Sequence, residues 1–377
     1  MLAHDSVIFN LHDVVLLMAA SQYVLLGMLL GMLLLFTRRT QDKSSYLLVF
    51  ILLINGLYAL DILLTWNMSL REWALLHLPN SLFSGVLANW MQGPLLYLYV
   101  VHLLYRSVRY RWWYVLHFVP VVLVFVYLYQ VYYGVPLDQK VQLLVGLGHS
   151  EMSHGLNTAI FYSHISVMVY GVMSLYQVYR YREQLQQRFA NVEESERGWL
   201  SWIIVAFVAL SLWRMLANLL GSSLGEDAAN IMGISGNYLS YILVNSMVFA
   251  SIRYAHLFQG LLKGYGASTG DEDKRFEGSQ VEAVSRLMDE EKPYLNKNIN
   301  IETLAKLLGM SERTLSKILN QHFERNFFEF INAYRITEAM RLLSAEGAED
   351  MTILDVQGAS GFTSKSTFNA IFKKTPG

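Results

Sequence analysis

The chain of 377 residues is long enough for two domains. Hydrophobic residues make up 54% of it and charged residues only 16%, whereas an ordinary soluble domain carries about 25% charge. This composition argues against a fully water-soluble protein. The net charge of −1 gives no support for bulk binding to a polyelectrolyte, and the absence of cysteine excludes disulfides, thiolate metal sites and cysteine nucleophiles.

Long apolar runs dominate the first two-thirds of the sequence. The first of them, residues 14–36, has no charged side chain and exceeds the roughly 20 residues that a helix needs to cross the hydrocarbon core of a membrane. The runs are too long and too uniformly apolar for barrel strands, so a helical bundle is expected. Seven transmembrane helices are predicted, at about 14–36, 46–66, 82–104, 112–133, 157–179, 199–220 and 233–254.

Basic residues are concentrated in alternate loops of this predicted bundle. Segments 37–45, 105–111 and 180–198 are rich in Arg and Lys, while the opposite loops contain only Arg71 and Lys140. Because cytoplasmic loops carry the excess of positive charge, the N-terminus is predicted to lie outside. Seven crossings then place the C-terminal part of the chain in the cytoplasm.

Polar side chains from several spans fall at one depth in the predicted outer half of the bundle. Ionisable groups within a membrane are costly, so each is a functional hypothesis, and Asp61 could pair with Arg214. One interpretation is an outward-open pocket for a small ligand, and the other is hydrogen bonding that merely holds the helices together. The candidate pocket residues are Asp61, Asn89, Gln92, His164, Arg214, Asn218 and Asn237.

The seventh predicted span carries polar residues at helical spacing. Asn237, Tyr241 and Asn245 recur at i, i+4 and i+8, so they share one face of the helix. This face could transmit a signal to the cytoplasmic part, or it could be static packing.

No catalytic constellation is recognisable, so the chain is not expected to be an enzyme, and no catalytic residue or cofactor is predicted. His149, Glu151 and His154 lie close together in an outer loop, but they lack the spacing of a metalloprotease motif. An ordinary polar loop is the better interpretation, and no metal site is predicted.

The composition changes after Tyr254. Residues 257–278 combine glycines, small polar residues and a charged run, which predicts a flexible cytoplasmic linker. The domain boundaries are therefore placed at 1–256 for the membrane domain, 257–278 for the linker and 279–377 for a soluble helical domain.

The soluble part contains two predicted helix-turn-helix units. In the first, Gly309 permits a tight turn, Ser311 is a good N-cap and the following helix buries Leu315, Ile318 and Leu319. In the second, Gly361 and Ser364 take these roles, and the helix is expected to bury Phe368, Ile371 and Phe372. A solvated face is the alternative interpretation of the outward stripes. The candidate DNA-reading residues are Arg313, Ser316, Lys317 and Asn320 in the first unit and Lys365, Ser366, Asn369 and Lys373 in the second.

At these residues the chain resembles the AraC-type family of bacterial transcription regulators, over roughly residues 279–377. The resemblance implies base-reading roles for Arg313, Ser316 and Lys317 in the first unit and for Lys365, Ser366 and Asn369 in the second. Seven spans ahead of such a domain are similar to the membrane-bound regulators of that family. The matching blocks are Leu304-Ala305 with Gly309-Met310-Ser311-x-Arg313-x-Leu315, Arg335-Ile336-x-x-Ala339-x-x-Leu342-Leu343, Gly361-Phe362-x-Ser364-x-Ser366-x-Phe368, and Phe372-Lys373-Lys374 with Gly377.

Three features depart from the family pattern. Gln357 stands where the family usually has Ala, so a longer polar group must lie near the second core. The charge of residues 296–377 is nearly balanced, so nonspecific affinity for DNA should be modest and salt-sensitive. The family continues through a further helical segment beyond Gly377, so the second unit is expected to be truncated.

The resulting expectation is an all-α protein, with a seven-helix transmembrane bundle followed by a double helix-turn-helix domain, in the bacterial inner membrane. It is predicted to be a one-component transcription regulator that senses an extracytoplasmic or membrane-borne small ligand. The expected partners are promoter DNA, membrane lipid, RNA polymerase and a second copy of the chain, since Gly27 and Gly31 permit close helix contact. The alternative is a transporter or channel with a fused DNA-binding module.

Overall fold

A computed structural model of the chain describes residues 9–36, 43–105, 112–145, 151–190, 194–224, 226–254, 278–345 and 351–373. Within these ranges every regular element is helical. The chain divides into two compact units. One comprises Met1–Val178 and Leu200–Gly260, and the other comprises Tyr179–Trp199 and Leu261–Gly377. Nearly all of the predicted linker, 257–278, lies outside the described residues.

Nine helices are described in the first two-thirds of the chain. They are α1 (Leu11–Phe36), α2 (Lys43–Trp66), α3 (Met68–His77), α4 (Ser84–Leu104), α5 (Val119–Leu128), α6 (Leu137–Val145), α7 (Glu151–Gln186), α8 (Glu194–Leu224) and α9 (Glu226–Tyr254). A 3-10 segment, Trp112–Phe118, precedes α5, and a π-helical turn, Tyr129–Tyr133, follows it.

Five segments of the described helices are long and apolar enough to cross a membrane. They are Leu11–Leu35, Ser44–Trp66, Trp112–Tyr133, His154–Gln186 and Gly198–Leu220. Helices α4 and α9, which correspond to the predicted third and seventh spans, are not in this set. Both are more polar: α4 carries Asn89, Gln92 and His102, and α9 begins with Glu226 and Asp227.

Helix α4 occupies the interior of the first unit. Most of its residues are buried, and it packs against α2, which also packs against α1. A helix enclosed by other helices faces protein rather than lipid, so it needs less apolar surface than its neighbours. Gly27 of α1 faces α2, and a Cβ at position 27 would lie 3.2 Å from Cδ2 of Leu53. The two glycines of α1 thus serve a helix contact within the chain.

A small layer covers one end of this bundle. Helix α3, the 3-10 turn Pro79–Ser81 and α6 surround a core that includes Leu82, Phe83 and Leu128. The hydroxyl of Tyr132 donates to the carbonyl oxygen of Pro79 at 2.8 Å, and Nζ of Lys140 donates to Oδ1 of Asn80 at 2.5 Å. Burial lowers the pKa of Lys140.

Six further helices form the C-terminal part of the chain. They are α10 (Gly278–Glu290), α11 (Ile301–Leu307), α12 (Glu312–Gln321), α13 (Phe327–Leu343), α14 (Ile353–Ala359) and α15 (Lys365–Phe372). The predicted turns and caps are confirmed. Gly309 and Gly361 have φ of +64° and +89°, and the side chains of Ser311 and Ser364 accept hydrogen bonds from the backbone N–H groups of Thr314 and Thr367.

Each helix-turn-helix unit has its own apolar core. The first joins α10, α11, α12 and the start of α13, and the second joins the end of α13 to α14 and α15. Gln357 is buried beside the second core, as predicted. The prediction that Phe372 is buried was wrong. Its ring stacks on Phe368 with centroids 5.5 Å apart, but its side chain remains 38% exposed because it lies at the last turn of α15.

Candidate functional site

Helix α12 presents a polar face opposite a buried one. Leu315, Ile318 and Leu319 are fully buried and fix the rotation of the helix. The opposite stripe contains the predicted reading residues of the first unit: Arg313 and Asn320 are exposed, and Ser316 and Lys317 are partly exposed. Nδ2 of Asn320 donates to Oγ of Ser316 at 3.3 Å. The packing therefore holds this stripe toward solvent, as a recognition helix requires.

Helix α15 repeats this arrangement. Thr367 and Phe368 are buried on its inner side. Each of the reading residues predicted here is exposed: Lys365, Ser366 and Asn369 lie on the helix, and Lys373 caps its C-terminal end. The structure thus provides two capped helices with polar outward stripes, connected through α13.

Arg335 lies between the two helix-turn-helix units. No role is predicted for it from the sequence. Its side chain is fully buried on α13. Nε donates to the carbonyl oxygen of Tyr294 at 2.7 Å, and Nη2 donates to that of Asn296 at 3.0 Å. Burial lowers the pKa of Arg335 to about 10, so the guanidinium stays charged at neutral pH. The only signal in the sequence was its position at the start of a family motif.

The turn of the second unit approaches Arg335 closely. The guanidinium carbon lies 5.8 Å from the ring centroid of Phe362. A Cβ at Gly361 would lie 2.7 Å from the carbonyl oxygen of Tyr294 and 3.0 Å from Nε of Arg335. Both the left-handed backbone and the lack of space therefore require glycine here. Arg335 connects the segment after α10, helix α13 and the second turn.

Most of the predicted pocket residues lie around one cavity in the first unit. Its volume is about 640 Å³, within the ~300–1,000 Å³ range of small-molecule sites. It is formed by the beginnings of α1, α4, α7 and α9 and the ends of α2 and α8. Six of the seven predicted residues line it: Asp61, Asn89, His164, Arg214, Asn218 and Asn237.

Gln92 is placed elsewhere. It lies with Asn55 beside a small void of about 10 Å³, and its Nε2 atom is buried without a hydrogen-bond partner in the described part of the chain. Gln92 lies about one turn farther along α4 than Asn89, which lines the cavity and donates to Oγ of Ser163 at 2.5 Å.

Asp61 is held by the beginning of α4. Its carboxylate accepts hydrogen bonds from the backbone N–H groups of Phe83, Ser84 and Gly85 and from Oγ of Ser84. A Cβ at position 85 would lie 2.5 Å from Oδ2 of Asp61, so the glycine allows this approach. A carboxylate at a helix N-terminus is stabilised by the unpaired N–H groups and the helix dipole. These donors belong to the beginning of α4 and not to Arg214.

Arg214 occupies a different part of the cavity. Its guanidinium carbon lies 5.0 Å from the ring centroid of Tyr58, and Nη2 donates to the carbonyl oxygen of Gly236 at 3.4 Å. Among the described residues no carboxylate lies within ion-pair distance of it. The suggested pair with Asp61 is therefore not formed.

The polar face of α9 divides into two parts. Asn237 lines the cavity. Farther along, the hydroxyl of Tyr241 donates to Oε1 of Gln22, and Nε2 of Gln22 donates to Oδ1 of Asn245 at 2.7 Å. The part of this face nearer the C-terminal end of α9 thus packs against α1 through hydrogen bonds.

Comparisons with known proteins concern the C-terminal part of the chain. Residues 304–377 match the model of a family described as a helix-turn-helix domain. A segment of 79 residues is 35% identical to the probable transcription factor PqrA of Proteus vulgaris, and the match covers 21% of this chain and 62% of that protein. No solved structure matches the chain.

These matches agree with the capped helices and outward stripes of α12 and α15. They support DNA-binding transcription regulation and point to a regulator rather than an enzyme. The C-terminal part of the chain is thus similar to a helix-turn-helix domain, over residues 304–377.

Proposed function

We propose that the protein is a one-component membrane-embedded transcription regulator, which senses a small ligand in its membrane domain and binds promoter DNA through α12 and α15. The observation that carries the proposal is the pair of reading helices in a chain that also holds five membrane-length segments. A recognition helix inserts into the major groove of B-DNA, and two such helices can read half-sites one helical turn apart.

The proposed topology has seven spans, with α4 and α9 added to the five apolar segments. The N-terminus lies outside and the domain from residue 279 to 377 lies in the cytoplasm, after the linker at 257–278. The distribution of Arg and Lys in the loops supports this orientation. A bacterial inner membrane location follows, because the reading helices must reach DNA.

The proposed ligand site is the cavity around Arg214. The helix ends that line it are the ones that this topology places outside, which fits entry of a ligand from outside or from the outer leaflet. Binding biases the bundle between two states by as much as the ligand prefers one of them. The reading domain then recruits or obstructs RNA polymerase, alone or as a pair of chains.

The alternative is a transporter or channel with a DNA-binding module. It requires a polar path through the whole bundle. Beyond the cavity, the polar residues Asn55 and Gln92 border a void of only about 10 Å³, which is too small for a permeating solute. This favours a sensor.

The proposal is tested by selecting DNA with the full-length protein. Purified protein in lipid nanodiscs is incubated with a library of duplexes that contain a random central region, and the bound duplexes are sequenced. We expect enrichment of a motif with two parts about 10–10.5 base pairs apart, because α12 and α15 belong to one compact unit and are connected through α13. Enrichment of no motif would contradict sequence-specific DNA binding.

A further inference from the structure

We propose that the cavity in the membrane domain binds an amphiphile with a negatively charged head, and that Arg214 pairs with that head. This proposal rests on the proposed sensing function and names the class of ligand. It follows from which charged groups around the cavity already have hydrogen-bond partners within the protein and which do not.

Both carboxylates at the cavity already have donors. Asp61 is held by the backbone at the beginning of α4. Asp13 accepts from Nδ2 of Asn67 at 2.9 Å and from the backbone N–H of Asn10 at 3.1 Å. Both carboxylates therefore accept hydrogen bonds from the protein itself.

Arg214 is in the opposite situation. It contacts one carbonyl oxygen and one aromatic ring, although a guanidinium has five N–H donors. A positive charge within a membrane is costly unless it is paired. Carboxylate and phosphate groups match the planar fork of a guanidinium with two parallel hydrogen bonds. Among the charged side chains that line the cavity, Arg214 therefore has the fewest hydrogen bonds relative to its donors, and it is the one that an anionic group can pair with.

Side chains that can donate hydrogen bonds without carrying a charge line the same cavity as Arg214. Asn218, one turn along α8, and Asn237 on α9 both line the cavity, and neither side chain makes a hydrogen bond within the described part of the chain. His164 also lines the cavity. These groups can bind the remaining oxygens of an acidic head.

The rest of the wall is apolar and aromatic. Such a surface binds the body of a ligand through the hydrophobic effect. A charged head combined with an apolar body is an amphiphile. The wall includes Leu16, Tyr58, Trp66, Phe83, Leu156 and Tyr238.

The experiment measures binding of radiolabelled decanoate to the full-length protein in phosphatidylcholine nanodiscs, with empty nanodiscs subtracted. Decyl phosphate and decanol serve as competitors. The charge of the head group is thereby varied while the ten-carbon alkyl chain of the ligand stays the same. We expect decanol to compete at least about tenfold less well than decanoate or decyl phosphate, a difference of about 1.4 kcal/mol.

Variants assign the effect to one side chain. Arg214→Gln should weaken decanoate binding at least about tenfold, whereas Arg214→Lys should weaken it less, because the charge remains although the two parallel hydrogen bonds of the guanidinium are lost. Arg71→Gln is the matched control, since Arg71 lies on α3 and does not line the cavity. Phosphatidylglycerol in the nanodisc should compete with decanoate if the natural head belongs to a lipid, and should have no effect if it belongs to a water-soluble acid.

The outcomes separate this proposal from the proposed function. If decanol binds as tightly as decanoate and Arg214→Gln changes neither, the charge of the ligand is wrong although the cavity still binds. If decanoate shows no saturable binding, the proposal is overturned. Sequence-specific DNA binding, which is measured separately, is unaffected by either result.

We also infer that helix α7 connects the membrane domain directly to the DNA-binding domain. This inference rests on different contacts. Helix α7 is continuous from Glu151 to Gln186, and the chain from Tyr179 to Trp199 belongs to the same compact unit as the reading helices. The sequence analysis had treated this stretch as an ordinary cytoplasmic loop.

The residues just after α7 are built into the first helix-turn-helix unit. Phe189 and Asn300 form an isolated antiparallel bridge. The N–H of Ile301, the first residue of α11, donates to the carbonyl oxygen of Arg188 at 3.0 Å. Nδ2 of Asn332 on α13 donates to the carbonyl oxygen of Ala190 at 3.0 Å, and Ala190 is fully buried in the first core.

This segment therefore bonds to both α11 and α13, the two helices that hold α12. A movement of the end of α7 changes those bonds and hence the position of the first reading helix. A glycine-rich linker transmits rotation poorly, whereas a helix transmits it along its length. Helix α7 is thus a route for the signal that does not depend on residues 257–278.

The test uses the absence of cysteine from the chain. The double variant Phe189→Cys, Asn300→Cys places two thiols opposite each other, where Cβ atoms lie about 4.5–5.5 Å apart. A disulfide formed there with a small adjustment would lock the segment onto α11. Affinity for a selected duplex is measured in nanodiscs before oxidation, after oxidation and after reduction.

We expect the locked protein to differ from the reduced protein by at least about threefold in affinity, in a way that a reductant reverses. Each single variant treated with the oxidant is the control, and it also accounts for the loss of the Asn300 cap. Equal affinity of the locked and reduced forms would mean that the segment is permanently docked, and would overturn the inference.

Discussion

Replacing Arg335 by leucine is expected to lower the free energy of unfolding of the DNA-binding domain by about 3–5 kcal/mol. The substitution removes the donors for the buried carbonyl oxygen of Tyr294 and for the partly buried carbonyl oxygen of Asn296. Each buried acceptor that loses its partner costs about 1–3 kcal/mol. Since a domain is stable by only about 5–15 kcal/mol, much of the margin would be lost.

The measurement is pulse proteolysis of the full-length protein in nanodiscs across a urea series, followed with an antibody to a C-terminal tag. Arg341→Leu is the matched control on the same helix. Arg341 pairs with Glu338 at 2.7 Å but is largely exposed, so its loss should destabilise the domain far less than the loss of Arg335. Equal effects of the two substitutions would show that Arg335 does not hold the two helix-turn-helix units together.

Alanine at Arg313 or at Lys365 is expected to weaken binding to a selected duplex by about 5- to 150-fold, equivalent to about 1–3 kcal/mol. Both residues stand on the outward stripes of the reading helices. A side chain that reads a base edge contributes to the selected site and little to other sequences. The base preference at the contacted position should therefore relax.

Fluorescence anisotropy on the selected duplex and on a scrambled duplex, at two salt concentrations, distinguishes base contacts from phosphate contacts. Arg286→Ala is the control, because Arg286 is an exposed arginine on α10, outside the reading helices. Equal weakening on both duplexes would assign the residue to the phosphate backbone. Unchanged affinity on both would place the reading surface elsewhere.

Local patterns in the sequence predicted the helix-turn-helix units well. Gly309 and Ser311 determine a turn and a cap within a few residues of each other, and the apolar spacing of α12 identifies its inner face. Such features depend on near neighbours in the chain, so the sequence contains them directly. The two helix-turn-helix units and their outward polar stripes were predicted in this way.

Contacts with backbone atoms were beyond the reach of sequence reasoning. Asp61 was expected to meet another side chain, Arg214, but its partners are the N–H groups at the beginning of α4. Every residue carries a backbone N–H and a carbonyl, so no residue type marks such a partner. The docking of Ala190 into the first core was missed for the same reason, because its bonds run through carbonyl oxygens.

The acceptors of Arg335 also affect how the sequence of this domain can change during evolution. Its partners at positions 294 and 296 are main-chain oxygens, which all twenty amino acids supply. The exposed side chain of Asn296 can therefore be replaced during evolution without loss of this bond. A deletion that shortens the path between Pro293 and Asn296 cannot be accommodated, because it would withdraw the oxygens themselves.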